Sequence, residues 1–377
     1  MLSEIRIQGF KAVRDSEKVE LGPLMMFVGR NGSGKSSLVE ALQWLQESVQ
    51  LGLAAATNNR FGSFEELLNR RKLGSKRITL ELTSNRGPKE SRYVLEVGEG
   101  DNGKAAVEKE TLTRGRTKSA VREIRTEDGA RRITGFPPIR DSAKLALGFV
   151  KESRASGAED LLDILERATF LRLSPSAIGA REHPTSLANA PLLDDEGRLA
   201  AAMFESLPPN AKKWVKDKLA QVLPDSRGLE IKRLGSARAL YMREHMTSQG
   251  GEKTHDIPSW LLSEGTRRLA VLFTLLATQP RPRLIVIEEV ENGLDPWTLD
   301  FVLDELKDAV SDGVQVILTS HSPYLVDKLA QDQVTLVTRE KGETRYTRLS
   351  SLPDNDGAAK ILGAGSLYLF RGGKDGA

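Results

Sequence analysis

With 377 residues, the chain is long enough for two or three domains with a large core, and its formal charge of +3 does not by itself indicate a nucleic-acid partner. It contains no Cys, which excludes disulfides, thiolate metal sites and Cys nucleophiles. No apolar run approaches the about 18 residues that a membrane span needs, and the first residues form no signal peptide, so we expect a cytoplasmic protein without a membrane partner.

The first predicted elements lead to a glycine-rich loop. Residues 3–9 alternate polar and apolar side chains, which predicts a half-buried strand, and residues 19–21 predict a second. The apolar run 24–28 is a third strand, and an amphipathic helix begins near Ser37. The glycine-rich loop lies between this strand and this helix, which is the position of a phosphate-binding loop. We therefore assign nucleotide binding to Gly29, Arg30, Asn31, Gly32, Ser33, Gly34, Lys35, Ser36 and Ser37.

The residue types in this loop suit phosphate chemistry. Glycines at 32 and 34 let backbone N–H groups approach an anion that a Cβ would obstruct, and the helix adds the positive end of its dipole. Lys35 is expected to reach the β and γ phosphates as a catalytic cation, and the Ser36 hydroxyl to ligate Mg²⁺. Further along this helix, we assign Trp44 to the core rather than to base stacking.

A period-two pattern from Ile78 to about Gly135 predicts an antiparallel sheet. Its connecting segments are rich in cations, namely Arg114, Arg116, Lys118, Arg122, Arg125, Arg131 and Arg132. Two interpretations are open: the cations follow the phosphate backbone of DNA, or they form solvated strand faces together with Glu108, Glu110, Glu123 and Glu127. Residues 136–255 are predicted to be mainly helical, with the best helices at 143–152, 157–168, 197–207 and 210–223.

Further residues that could bind a ligand or take part in catalysis occur near the end of the chain. Ser263 and Gly265 stand at the start of a predicted apolar helix, and such a start can bind an anion. A fully apolar strand then ends in Glu288 and Glu289, which a buried parallel strand delivers to the carboxyl edge of a sheet. We expect Glu288 to hold Mg²⁺ through water and Glu289 to polarise the attacking water as general base.

In chain order these segments resemble the ABC-type ATPase superfamily. The matching motifs are the phosphate loop 29–36, the signature 262–266, the Walker B strand 285–289, the D loop 294–295 and the switch histidine run 319–321. Glu264 and Thr266 depart from the usual Gly and Gln of the signature, and Glu288 stands where Walker B usually has Asp. By this resemblance Asp295 joins the nucleotide-binding residues and His321 the catalytic ones.

Within the superfamily, the runs at residues 5–11, 288–294 and 319–323 resemble SMC-like, OLD-family ATPases rather than transporter subunits. The resemblance implies an α/β P-loop NTPase head with an antiparallel β subdomain and a helical insertion. We divide the chain into 1–135, the N-terminal part of the ATPase head; 136–255, the mainly helical insertion; and 256–377, the C-terminal part of the head.

The resemblance also implies ATP and Mg²⁺ as cofactors and a homodimer. A signature helix cannot reach the phosphate loop of its own chain, so Ser263 and Gly265 would cap the γ-phosphate of ATP held by the partner's Lys35. OLD-family enzymes commonly carry a C-terminal TOPRIM nuclease domain, which we expect to be missing because too few residues follow the strand at 336–339.

The expected function is an ATP-driven switch that dimerises on ATP. It would act on DNA or on a separately encoded effector, such as a nuclease, in antiviral defence or DNA maintenance. The alternatives are the nucleotide-binding subunit of a membrane transporter and a nucleotide-sensing scaffold with little turnover.

Overall fold

The structure is a computed structural model that describes residues 1–70, 76–86, 89–115, 121–133, 136–152, 158–183, 194–248 and 251–352. It has two compact units, the first formed by Met1–Ala168 and Ile317–Ala377, and the second by Thr169–Val316. The divisions that the sequence suggested, after residues 135 and 255, do not coincide with these boundaries.

The elements follow one another along the chain. The helices are α1 (Lys35–Leu51), α2 (Leu53–Phe61), α3 (Glu159–Glu166), α4 (Pro175–Ile178), α5 (Ala200–Ser206), α6 (Pro209–Val222), α7 (Glu264–Leu276), α8 (Pro296–Ser311) and α9 (Pro323–Val326). The strands are β1 (Leu2–Phe10), β2 (Val13–Asp15), β3 (Val19–Glu20), β4 (Leu24–Val28), β5 (Arg77–Arg86), β6 (Lys89–Glu99), β7 (Ala105–Arg114), β8 (Val121–Glu127), β9 (Ala130–Ile133), β10 (Ala168–Leu171), β11 (Ser226–Leu234), β12 (Ala237–Ser248), β13 (Gly251–Pro258), β14 (Leu284–Ile287), β15 (Gln315–Ser320), β16 (Val334–Glu340) and β17 (Glu343–Arg348).

An antiparallel sheet dominates the first unit, as the period-two pattern predicted. Its strand order is β2-β1-β5-β6-β7-β8-β9, and β3 also pairs with β1. On one face of β5, Ile78, Leu80 and Leu82 are at most 2% exposed, while the intervening side chains are less buried. The alternation therefore buries one face of the sheet and leaves the other to solvent.

The phosphate loop follows a buried parallel strand of the first unit. All five residues of β4 are buried, and β4 pairs in parallel with β16, which forms an antiparallel hairpin with β17. Trp44 on α1 is 0% exposed and its indole N–H donates to Thr57 Oγ1 at 3.0 Å, so its assignment to the core is confirmed.

The cations for which a DNA backbone and solvated strand faces were both open interpretations are partly structural. Arg131 is 2% exposed, and its Nη2 donates to the carbonyl of Lys144 at 3.1 Å, so the DNA interpretation is wrong for this residue. Arg125 and Arg132 both pair with Glu127. Arg116 and Lys118 lie outside the described residues, as does the side chain of Arg122. The solvated interpretation is wrong for Glu110, which is 0% exposed.

The second unit contains a three-stranded sheet in a region where helices were expected. Helices α5 and α6 lie close to their predicted positions, but β11, β12 and β13 form an antiparallel sheet between residues 226 and 258. The signal for it was the two-residue turn at Gly235 and Ser236, where Gly235 has a φ of 64° as hairpin turns of this length require. Among the described residues, no helix is long and apolar enough to cross a membrane.

Candidate nucleotide-binding site

Tight packing explains why two positions of the phosphate loop are glycine. A Cβ on Gly29 would collide with the carbonyl oxygen of Val337. Gly34 has a φ of 114°, and a Cβ there would lie 2.6 Å from the side chain of Thr344. Any larger residue at 34 would combine backbone strain with a steric clash. The loop therefore packs closely against Val337 and Thr344.

Lys35 lies across this loop. Its side chain is 8% exposed, and Nζ donates to the carbonyl oxygens of Gly29 at 2.6 Å and Arg30 at 3.2 Å. The ammonium charge is thus fixed beside the backbone of the loop, where the sequence predicted a phosphate-binding cation. Arg30, Asn31, Gly32 and Ser36 are exposed, and Ser37 is buried.

The loop also has features that fit an anion. The Ser33 hydroxyl is buried and has no hydrogen-bond partner among the described residues, so a donor is available there. Helix α1 begins directly after Gly34 with no acidic side chain in its first turn, which leaves the positive end of its dipole uncompensated. A triphosphate would satisfy both the hydroxyl and the helix end.

The β16–β17 hairpin supplies loop contacts that the sequence analysis missed. Arg339 Nη1 donates to the carbonyl of Gly32 at 3.1 Å, Thr344 Oγ1 to that of Ser33 at 2.9 Å and Tyr346 Oη to that of Gly34 at 3.0 Å. Burial raises the pKa of Tyr346, so its phenol keeps its proton and remains a donor. These partners lie more than 300 residues from the loop, which leaves no local signal in the sequence.

In the second unit, Ser263 is the N-cap of α7. Its Oγ accepts a hydrogen bond from the backbone N–H of Thr266 at 3.1 Å and donates to Thr266 Oγ1 at 2.8 Å. The Thr that departs from the family signature therefore joins the cap. Gly265 packs so closely on the carbonyl of Gly293 that a Cβ would collide with it, which brings the start of α7 against the turn before Asp295.

The two predicted carboxylates follow β14 in the same unit. The backbone N–H of Glu288 donates to the carbonyl of Leu171 at 2.8 Å. Glu289 is exposed and has a φ of 51°, a conformation that is uncommon for residues other than glycine and that recurs at functional sites. Asn292 Nδ2 donates to Glu289 Oε2 at 2.5 Å, so Asn292 orients the carboxylate.

Arg268 on α7 lies within electrostatic range of this carboxylate. Burial lowers the pKa of its guanidinium, and the negative charges of Glu264 and Glu289 oppose that effect. The sequence analysis assigned no role to either residue, although Asn292 lies inside the run 288–294 and Arg268 lies two residues after the signature.

Asp295 has a defined structural role. It is the N-cap of α8 and accepts hydrogen bonds from the backbone N–H groups of Trp297 at 3.1 Å and Thr298 at 3.0 Å. The Thr298 hydroxyl also donates to Asp295 Oδ2, at 2.6 Å. This bond has the largest effect, and together with the backbone bonds it holds the pKa of Asp295 below its usual value. An acid followed by Pro296 at the first helical position is a sequence signal for a helix start that the analysis did not use.

The predicted site residues are divided between the two units. The phosphate loop and His321, which directly follows β15 and is exposed, belong to the first unit. Ser263, Gly265, Glu288, Glu289 and Asp295 belong to the second. No group of three His, Asp or Glu side chains forms a metal site within the described residues. The Ser36 hydroxyl and the Glu288 carboxylate are oxygen donors of the kind that Mg²⁺ takes while it keeps several waters.

Comparisons with known proteins identify the family of the chain and several relatives. Residues 24–327 match the family described as "AAA domain, putative AbiEii toxin, Type IV TA system". The chain is 37% identical over 92 residues to the chromosome partition protein Smc of Desulfitobacterium hafniense, covering 23% of this chain and 7% of that protein. It is 26% identical over 103 residues to a "Putative ABC transporter ATP-binding protein" of Caldanaerobacter subterraneus, covering 27% of this chain and 42% of that protein. The chain thus spans less than half the length of either relative.

Solved structures show the same fold. An Smc head bound to the C-terminal winged-helix domain of ScpA has a TM-score of 0.55 at 14% identity and covers 92% of this chain and 97% of its own. An Smc head with an extended coiled coil, bound to the C-terminal domain of ScpA from Pyrococcus furiosus, has a TM-score of 0.53 at 13% identity and covers 96% and 98%. The predicted P-loop NTPase fold, a mixed α/β head with antiparallel sheets and helices, is therefore confirmed.

Proposed function

The chain belongs to the AAA domain family that matches its residues 24–327, and from this premise we propose that it binds ATP with Mg²⁺ and hydrolyses it. The observation that carries the proposal is the phosphate loop itself. Lys35 is held across it, the buried Ser33 hydroxyl has no partner among the described residues, and α1 begins at its end. Such a loop binds phosphate through its backbone N–H groups.

The chain's own residues would divide the chemistry as follows. Lys35 binds phosphate oxygens, and Ser36 and Glu288 hold Mg²⁺, which when bound offsets the charge that develops on the phosphates. Glu289 accepts the proton of the attacking water, and His321 contacts the reacting phosphate. Asn292 orients Glu289 through its hydrogen bond of 2.5 Å.

We further propose that two copies of the chain close on ATP. Ser263, Gly265 and Asp295 would contact nucleotide held by the partner's Lys35. Two features support this: Ser263 and Asp295 are exposed, and each stands at the N-terminus of a helix of at least 13 residues. In addition, Trp297 is 83% exposed two residues after Asp295, and exposed tryptophans are frequent interface anchors.

DNA remains a proposed partner, with a different set of contacts. Residues 205–243 contain nine Lys or Arg and four Asp or Glu, a strong local excess in a chain whose overall charge is only +3. A groove between α6 and β11 includes Lys212, Lys213, Lys216 and Arg227, a set called here the α6 groove. The spacing of three and four residues along α6 places Lys212, Lys213 and Lys216 on one face.

The charge of the α6 groove is largely uncompensated. Lys213 and Lys216 are exposed and form no ion pair within the described ranges. Glu205, at the edge of the groove, is already paired with Arg233 and Arg238. No exposed aromatic residue lines the groove for base stacking, which favours contact with a duplex backbone over a single strand.

A separately encoded protein effector is the second candidate partner. The description of the chain's family includes the words "putative AbiEii toxin, Type IV TA system", and the two Smc heads of the same fold are bound to ScpA. A setting in antiviral defence or DNA maintenance accommodates either partner. We retain OLD-family membership as a finer proposal within this fold.

Steady-state phosphate release tests the enzymatic proposal. The wild-type chain should release phosphate from ATP with Mg²⁺, and Lys35→Ala should abolish release together with ATP binding. Wild-type ATP binding without release would favour the nucleotide-sensing scaffold. Co-purification with an integral membrane protein would favour the transporter alternative. The similarity to an ABC transporter ATP-binding protein is the reason to test that alternative. Retention of ATP binding by Lys35→Ala would contradict the assigned site.

A further inference from the structure

Side chains of the β16–β17 hairpin donate hydrogen bonds to carbonyl groups of the phosphate loop. Three successive carbonyl oxygens, those of Gly32, Ser33 and Gly34, each accept a hydrogen bond from a side chain of β16 or β17. The donors are Arg339, Thr344 and Tyr346, at 3.1, 2.9 and 3.0 Å respectively. No backbone ladder joins the hairpin to these loop residues, so the contacts belong to the side chains.

The direction of these bonds has a consequence for the opposite side of the loop. In a trans peptide the carbonyl and the following N–H point in opposite directions. Fixing the Ser33 and Gly34 carbonyls therefore turns the N–H groups of Gly34 and Lys35 away from the hairpin. A hydrogen bond at a carbonyl also polarises its peptide and strengthens the N–H as a donor. Those N–H groups are the ones that a phosphate-binding loop presents to its ligand.

We propose that Thr344 and Tyr346, assisted by Arg339, are positioning residues that set the phosphate loop in its binding shape. The inference rests on the proposed function, because it assumes that the loop binds ATP. Thr344 is the central member: it is 2% exposed, its hydroxyl lies closer to the Ser33 carbonyl than to that of Ala12, and its side chain fills the space beside Gly34.

Tyr346 acts beside it. Its ring packs edge-on against Phe27 of β4 with ring centroids 6.2 Å apart, which fixes the direction of the hydroxyl toward Gly34. Arg339 is exposed, so its bond to Gly32 competes with water and contributes less. The hairpin therefore acts mainly through two hydroxyl donors, that of the buried Thr344 and that of the half-buried Tyr346.

The test uses substitutions that remove one donor and keep the shape. Thr344→Val and Tyr346→Phe should each weaken ATP and ADP binding by the full chain about tenfold, measured by equilibrium titration with a fluorescent nucleotide. Because the loop is shaped equally for ground and transition states, KM should rise while kcat is retained. Thr344→Ser, which restores the hydroxyl, should recover the wild-type affinity.

Thr335→Val is the matched control, since Thr335 is 3% exposed on β16 and is not among the residues that contact the loop. It should bind ATP as the wild type does. Any of three results would overturn the inference. The first is wild-type ATP affinity in both Thr344→Val and Tyr346→Phe, and the second is an equal loss of ATP affinity in Thr335→Val. The third is a Thr344→Ser variant that does not recover the wild-type affinity. If the wild-type chain binds ATP and Lys35→Ala does not, the proposed function stands whatever Thr344→Val shows. If the wild-type chain does not bind ATP, both the proposed function and the inference about the hairpin are overturned.

Discussion

The hydroxyl of Tyr93 donates a hydrogen bond of 2.9 Å to Oε1 of Glu110, and both side chains are completely buried in the first unit. The same carboxylate accepts the backbone N–H groups of Ala146 at 2.7 Å and Leu147 at 2.9 Å. Arg131 contributes a favourable charge nearby. Glu110 therefore ties β7 to the segment around 146, where the sequence suggested a solvated acid.

Removing this carboxylate should destabilise the first unit. Glu110→Ala leaves three donors without their acceptor and removes one of the two negative charges near Arg131, so we expect a loss of about 3 kcal/mol or more in urea denaturation followed by circular dichroism. Glu108→Ala, a neighbouring exposed acid that pairs with Arg77, should cost less than about 1 kcal/mol. Equal effects of the two substitutions would contradict the structural role of Glu110.

A second buried acid should make the stability of the second unit depend on pH. Burial raises the pKa of Glu182 to about 7 from an ordinary value of 4.5, against the opposing hydrogen bonds from the N–H groups of Ala201 and Ala202 and the charge of Arg238. The folded chain thus holds this proton more tightly than the unfolded chain. The resulting stabilisation is fully present below pH 4.5 and is lost as the pH rises to about 7.

Glu182→Gln cannot titrate and should remove this dependence. Relative to the wild type, the variant should gain stability between pH 5 and 8, by up to about 3 kcal/mol, in denaturation curves recorded at each pH. Parallel pH profiles for the two proteins would show that Glu182 has an ordinary pKa.

The α6 groove provides a test of DNA binding. The double variant Lys213→Glu and Lys216→Glu should weaken binding of a fluorescent duplex more than tenfold and reduce the dependence of log K on log salt by about two. The double variant Lys104→Glu and Arg140→Glu makes the same charge change on exposed residues of the first unit and should bind as the wild type does. Equal losses in both variants, or no binding by the wild type, would contradict this contact.

Trp297 should anchor the proposed dimer. Because this side chain is 83% exposed beside Asp295, Trp297→Ala should weaken ATP-dependent dimerisation at least tenfold in analytical ultracentrifugation, with nucleotide binding retained. Leu51→Ala removes another exposed apolar side chain, 56% exposed in the first unit, and should have no effect. Unchanged dimerisation of Trp297→Ala would place the interface elsewhere.

The sequence predicted the local structure of the candidate site wherever the signals are local. The phosphate loop, the cap at Ser263 and the acids after β14 are each encoded within a few neighbouring residues. The contacts of Thr344 and Tyr346 with the loop join residues more than 300 positions apart, and no periodicity records them. Arg131 was misread for a related reason: its strand has the composition of a solvated one, and only the packing of residues 141–144 onto it reveals the burial.

The proposed roles of Lys35 in ATP binding and of Glu289 as general base are tested most directly by ATP binding and phosphate release in Glu289→Gln. Loss of the general base should reduce release by at least about a hundredfold, while ATP binding, which depends on Lys35, is retained. With ATP and Mg²⁺, the variant should then accumulate as a dimer in size-exclusion chromatography. Phosphate release at the wild-type rate, or a variant that remains monomeric with ATP bound, would contradict the account.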